Sequence, residues 1–122
     1  MILVDSIGWI EYLAGAPRAG DYAAYLAHPG RVLTPTVVIY EVYKKVREQR
    51  GEEAADQAVR HVIDSNIVDL DTETALRAAE IHFRLGLAMA DAMIYATALG
   101  HGVQVVTSDF HFRGHPRVLF IE

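Results

Sequence analysis

Short apolar runs at residues 2–4, 31–34, 67–70, 103–108 and 117–121 recur along the chain, and helical patterns fill the intervals between them. No other feature of the sequence limits the fold as tightly. Strands that alternate with helices build a parallel sheet, because a parallel connection must cross over, and the crossover helices then cover both faces. The runs "ILV" and "VQVV" are apolar throughout instead of alternating with polar residues, as strands buried on both sides require. The expected fold is therefore α/β, a three-layer α/β/α arrangement around a mostly parallel sheet of four to five strands. The 122 residues suit one such unit, expected to span 1–122.

The helices have recognisable ends. One is expected over residues 7–15, with Ile7, Ile10, Tyr12 and Leu13 toward the core, closed by Gly15 and Pro17. A second covers 21–28 and ends at Pro29-Gly30. Thr34 is expected to cap the next, with Pro35 in its first turn, and the helix runs through "TVVIYEVYKKVREQR" to Gly51. Residues 52–65, 72–86 and 89–102 give three more; acids open the first of these, as the helix dipole favours.

Composition removes several classes of function. Hydrophobic residues make up 52% of the chain, too many for disorder, and charged residues 22%. No apolar run approaches the ~18 residues of a membrane span. The first residues read as structure and carry no basic start or small-residue cleavage site, so a cytoplasmic location is expected. Without cysteine there is no disulfide, no thiolate zinc site and no cysteine nucleophile. The net charge of −5 sits awkwardly with nucleic-acid binding by charge alone, which favours basic chains.

The acids themselves fall at informative places. Asp5 follows the first strand and Asp109 the fourth, so both belong at one edge of the sheet. Glu41 lies two turns into the helix after the second strand, within reach of that edge. Asp91 is the single charge in "LAMADAMIYATAL", where an ionised carboxylate is costly unless something meets it. Each also has an ordinary reading: Asp5, Asp91 and Asp109 as helix or turn caps, Glu41 as the partner of Lys45 one turn on. Together, however, carboxylates crowded at one edge raise one another's pKa unless a cation joins them. A hard divalent ion such as Mg²⁺ or Mn²⁺ takes such oxygen ligands.

The stretches "ILVDSIGWIEYL", "TPTVVIYEV" and "MADAMIYATALGHGVQVVTSDFHF", in this order and at this length, resemble the PIN domain, specifically VapC-type toxin ribonucleases of toxin–antitoxin pairs. The resemblance spans essentially the whole chain. It implies a Mg²⁺- or Mn²⁺-dependent endoribonuclease with Asp5, Glu41, Asp91 and Asp109 as its catalytic and metal-binding acids, Asp5 and Asp91 being the direct ligands. Thr107 matches a supporting hydroxyl position, and Ser6 is a second candidate support. Many relatives carry another acid two residues after the position of Asp109; here that residue is His111, so no fifth carboxylate is assigned. The resemblance also implies an RNA substrate, a VapB-type antitoxin laid over the acidic cleft, and a homodimer. On this reading the negative charge is concentrated where cations bind.

Lys44, Lys45, Arg47 and Arg50 follow Glu41, and Arg113 follows Asp109; these are candidate phosphate contacts, with a solvated helix face as the alternative for the first group. Trp9, Tyr12, Tyr40 and Tyr43 suit either base stacking or, at helical spacing, core and partner surfaces. His111 and His115 have a zinc-chelating spacing, but Gly114 and Pro116 oppose a helix there; His82 and His101 read as surface or helix-end residues. Two other functions stay open: a PIN-like binding protein weak in catalysis, and a receiver-like signalling module. The second lacks an acidic pair after the first strand and a lysine after the fifth.

Overall fold

The computed structural model describes residues 1–122. Its elements run β1 Ile2–Val4, α1 Ser6–Ala14, α2 Ala19–Leu26, β2 Val32–Pro35, α3 Thr36–Arg50, α4 Glu52–Ile63, β3 Asn66–Val68, α5 Thr72–Leu85, α6 Met89–His101, β4 Gln104–Thr107 and β5 Val118–Phe120. Short 3₁₀ turns at Pro29–Arg31 and Phe110–Phe112 lead into β2 and out of β4.

All five strands are parallel, in the order β3-β2-β1-β4-β5. Consecutive residues Leu3 and Val4, Val32 and Leu33, and Val105 and Val106 are all buried. Neighbours along a strand point to opposite faces, so both faces of the sheet are covered, as the unbroken apolar runs predict. The core of 23 buried residues joins these strands to Trp9 and Tyr22 from the first helices, Val38 and Val42 of α3, and Ile94 and Tyr95 of α6. No helix is long and apolar enough to cross a membrane.

Three local expectations are corrected. Ile7 is largely exposed and Trp9 takes the buried position on α1, while Ile10, Tyr12 and Leu13 are partly buried against the core. Thr34 does not cap α3. It is paired with Ile67 in the β2–β3 ladder, its hydroxyl is 2.6 Å from that of Ser65, and the extended Pro35 precedes the helix without a side-chain cap. β3 also ends at Val68, two residues short of Leu70, because its ladder partner on β2 ends at Pro35.

Gly8 has a clear reason to be glycine. A Cβ there would lie 2.5 Å from both Tyr22 Cε1 and Val4 Cγ1. The absent side chain lets α1 lie against β1 and α2 while its first turn stays beside Asp5.

Candidate active site

The chain passes from β1 to β2 and β3 on one side, then returns to β4 on the other side of β1. The order of strands therefore reverses at β1, and in open parallel sheets the crevice outside the carboxyl ends at such a point is where ligands bind. Asp5 leaves β1 and Asp109 follows β4, on either side of that crevice.

Asp5 serves as a cap and as a wall of the site at once. Its Oδ1 accepts the Gly8 N–H at 2.9 Å, which caps α1, and its Oδ2 accepts the Thr107 hydroxyl at 2.6 Å. The Asp109 N–H in turn donates to Thr107 Oγ1 at 2.9 Å. One hydroxyl thus ties together the ends of β1 and β4. Asp5 is only 2% exposed, and burial pushes its carboxyl up to about 7 against the two hydrogen bonds that lower it; Asp109 and Asp91 raise it further.

Glu41 does not pair with Lys45. Its Oε1 accepts the Ser6 hydroxyl at 2.8 Å, so the first residue of α1 fixes the acid of α3. The sequence alone gives the Asp91 side chain no direction, because its helix follows another helix and not a strand, and the fold supplies it. Gly86, at φ +72°, ends α5 in the left-handed conformation and turns the chain into α6. Helix α6 packs on β4, which it feeds through the turn at Gly102, so its N-terminus returns to the carboxyl edge of the sheet. Asp91 lies in that first turn, where the helix dipole favours an anion. Burial nevertheless raises its carboxyl to about 6, with Asp109 and then Glu41 adding to the rise. Each of the four acids is thus in electrostatic reach of at least one other.

One residue that sequence reasoning had set aside joins them. A ring nitrogen of His111 and one carboxylate oxygen each from Asp91 and Asp109 lie within 4.8 Å of one another. His111 Nδ1 is 2.8 Å from Asp109 Oδ1, which also accepts the His111 N–H at 3.0 Å. The available signal was the spacing Asp109-Phe110-His111 around a tight turn. His115 is not in this group and lies beside the Tyr95 ring. Asp5 and Glu41 stand outside the tightest set, linked to it through Thr107 and through charge.

The donor set suits a divalent cation. It consists of carboxylates with one imidazole, two of the acids are displaced upward by burial first and by neighbouring acids second, and no Lys or Arg forms an ion pair with any of them. Asp5 keeps lone pairs free on both oxygens after its two hydrogen bonds.

The candidate phosphate contacts are less uniform. Lys44 and Lys45 are exposed on α3, with the Lys44 ammonium 5.7 Å from the Tyr40 ring. Arg47 donates to the Tyr43 hydroxyl and faces Glu52, and Arg113 is paired with Glu122 at 2.9 Å over the Phe120 ring. Trp9 is core, whereas Tyr40 is exposed. His82 and His101 sit in the last turns of α5 and α6 and engage backbone carbonyls.

The model of the PIN domain family matches residues 2–117. The chain belongs to the PIN domain family. A receiver module is thereby excluded. No curated protein matches the sequence. Among solved structures, a toxin–antitoxin complex from Klebsiella pneumoniae superposes with a TM-score of 0.80 at 24% identity, covering 98% of this chain and 96% of that one. VapC20 of Mycobacterium tuberculosis, a sarcin–ricin loop cleaving toxin, gives 0.77 at 23% identity, covering 97% and 98%. VapBC2 of Rickettsia felis, bound to a DNA fragment from its promoter, gives 0.78 at 15% identity, covering 99% and 98%. At these identities the likeness is one of fold, and the PIN fold is the expected three-layer α/β/α arrangement.

Proposed function

We propose that this PIN domain is a Mg²⁺- or Mn²⁺-dependent endoribonuclease, the toxin of a VapBC-type pair, working in the cytoplasm on RNA and restrained by a VapB-type antitoxin. The observation that supports the reading is the cluster beyond the carboxyl ends of β1 and β4: ligand atoms of Asp91, Asp109 and His111 lie within 4.8 Å of one another, Asp5 is tied to Asp109 through the Thr107 hydroxyl, and Glu41 is in electrostatic reach of Asp91. The neighbouring structures supply the biological setting, since those proteins are toxins or toxin–antitoxin complexes. By the same resemblance the chain forms a homodimer.

In this reading Asp5 and Asp91 hold the cation directly, and Asp109 and Glu41 complete its shell or orient the attacking water. When bound, the ion supplies a water of lowered pKa and neutralises charge developing on the phosphate. The chain's own part is positional. Thr107 fixes the Asp5 carboxylate and the backbone before Asp109, and Ser6 fixes Glu41. The exposed Lys44 and Lys45 offer phosphate contacts beside the cleft, and Arg113 does so by exchanging Glu122 for a phosphate.

The test is cleavage of a structured RNA by the purified chain with Mg²⁺, Mn²⁺ or EDTA. Activity is expected only with a divalent ion, and Asp5→Asn and Asp91→Asn are each expected to lose at least a hundredfold. Equal activity in the variants would mean a contaminating nuclease and would remove the assignment.

A further inference from the structure

We propose that His111 is a nitrogen ligand of this site, so that the cation is held by a mixed nitrogen–oxygen set with Asp91 and Asp109 and Mn²⁺ is preferred over Mg²⁺. The inference rests on the metal-site reading above and adds a ligand to it.

Three observations support it. The first is distance. Ligand atoms around one six-coordinate ion, at bonds of about 2.1 Å, lie roughly 3 to 4.2 Å apart. The His111 nitrogen and the two carboxylate oxygens lie within 4.8 Å before any ion draws them in.

The second is that the turn carrying His111 is anchored to the helix carrying Asp91. Phe112 is fully buried and meets Tyr95 edge-on, with ring centroids 6.2 Å apart. Tyr95 is one helical turn beyond Asp91, on the same face of α6. Its hydroxyl donates to the Pro116 carbonyl at 2.6 Å, which fixes the far end of the same loop. The position of His111 relative to Asp91 is therefore set by core packing.

The third is that the ring itself is held. Phe110 stacks on it at 4.3 Å with the planes 29° apart, and Asp109 Oδ1 sits 2.8 Å from Nδ1. Phe110 is otherwise 71% exposed, so its main partner in the fold is the imidazole. The carboxylate beside Nδ1 makes that nitrogen the protonated one and leaves the Nε2 lone pair for the cation, while Asp109 keeps Oδ2 for the ion.

The preference among ions follows from ligand chemistry. Mg²⁺ favours an all-oxygen shell and sheds water reluctantly, whereas imidazole is a better ligand for transition metals. Replacing the imidazole by a carboxylate restores an all-oxygen set.

The test is pulsed electron paramagnetic resonance of the full chain with Mn²⁺, together with calorimetric titration by Mn²⁺ and Mg²⁺. Wild type is expected to show nitrogen-14 modulation from a directly bound imidazole. H111Q and H111D are expected to bind Mn²⁺ without that modulation. The ratio of Mn²⁺ to Mg²⁺ affinity is expected to fall about tenfold in H111D. Mn²⁺ bound to wild type with no nitrogen modulation would overturn the inference while leaving the acidic site intact. No Mn²⁺ bound to wild type at all would overturn the acidic site, and the inference with it.

Discussion

The hydroxyl of Thr107 donates to Asp5 Oδ2 across 2.6 Å, joining two buried residues 102 positions apart. Through it, the end of β4 steadies the carboxylate at the end of β1. Replacing Thr107 with Val keeps the shape and removes the donor. At pH 8, where Asp5 is ionised, Thr107→Val is expected to destabilise the fold by about 1–3 kcal/mol, because a buried carboxylate loses a partner. The loss is expected to shrink at pH 5. Urea denaturation at the two pH values checks this.

The metal-free protein is expected to carry an adverse pH dependence from its own site. Asp5 is raised to about 7 and Asp91 to about 6 from the ordinary carboxylate value of 3.8. Between those limits the native state binds more protons than the unfolded chain, so stability from these groups falls as pH rises from about 4 to about 7. Each unit of displacement corresponds to about 1.4 kcal/mol. Relative to wild type, Asp5→Asn is therefore expected to gain stability steadily across this range, read as the difference in urea midpoints. A constant difference would contradict the upward displacement of the Asp5 carboxyl by burial. Saturating Mn²⁺ is expected to flatten the wild-type curve.

Gly8→Ala tests the packing that seats the site. The added methyl would meet the Tyr22 ring and Val4 at 2.5 Å, and neither the ring nor the β1 side chain has room to withdraw. Overpacking of this kind costs about 1–3 kcal/mol. A thermal melt of Gly8→Ala is expected to fall accordingly, whereas Gly20→Ala, where a methyl meets nothing, is expected to leave it nearly unchanged.

Ser6→Ala separates positioning from stability. Ser6 supplies the one side-chain hydrogen bond to Glu41, at 2.8 Å. A single such bond to a charged group contributes about 1.5–3 kcal/mol at most, and less where water can replace it. The variant is expected to fold normally and to lose roughly tenfold in RNA cleavage rate. Measured together, the melt and the rate distinguish the two effects.

Much of this site was legible in the sequence because topology, not detail, places it. Asp5 and Asp109 follow the ends of β1 and β4, so any parallel arrangement puts them at one edge. What was illegible depended on contacts between distant segments. Ile7 and Trp9 are both apolar and two apart, and only the packing of α1 against α2, α3 and β4 decides which one is buried. Thr34 has the composition of a helix cap, but pairing with Ile67 keeps it in the sheet. Asp91 gave no direction because its helix follows a helix; the Gly86 turn and the packing of α6 on β4 settle it. His111 looked like the loss of an acid, and only the anchoring of Phe112 against Tyr95 brings it beside Asp91 and Asp109.

Diffraction from a crystal soaked in Mn²⁺ and recorded near the manganese absorption edge locates the cation. An anomalous peak bounded by Asp5, Asp91 and Asp109 is expected, lost in Asp91→Asn. Asp5 and Asp91 carboxyl groups turned apart, with no peak between them, would contradict the metal-site reading.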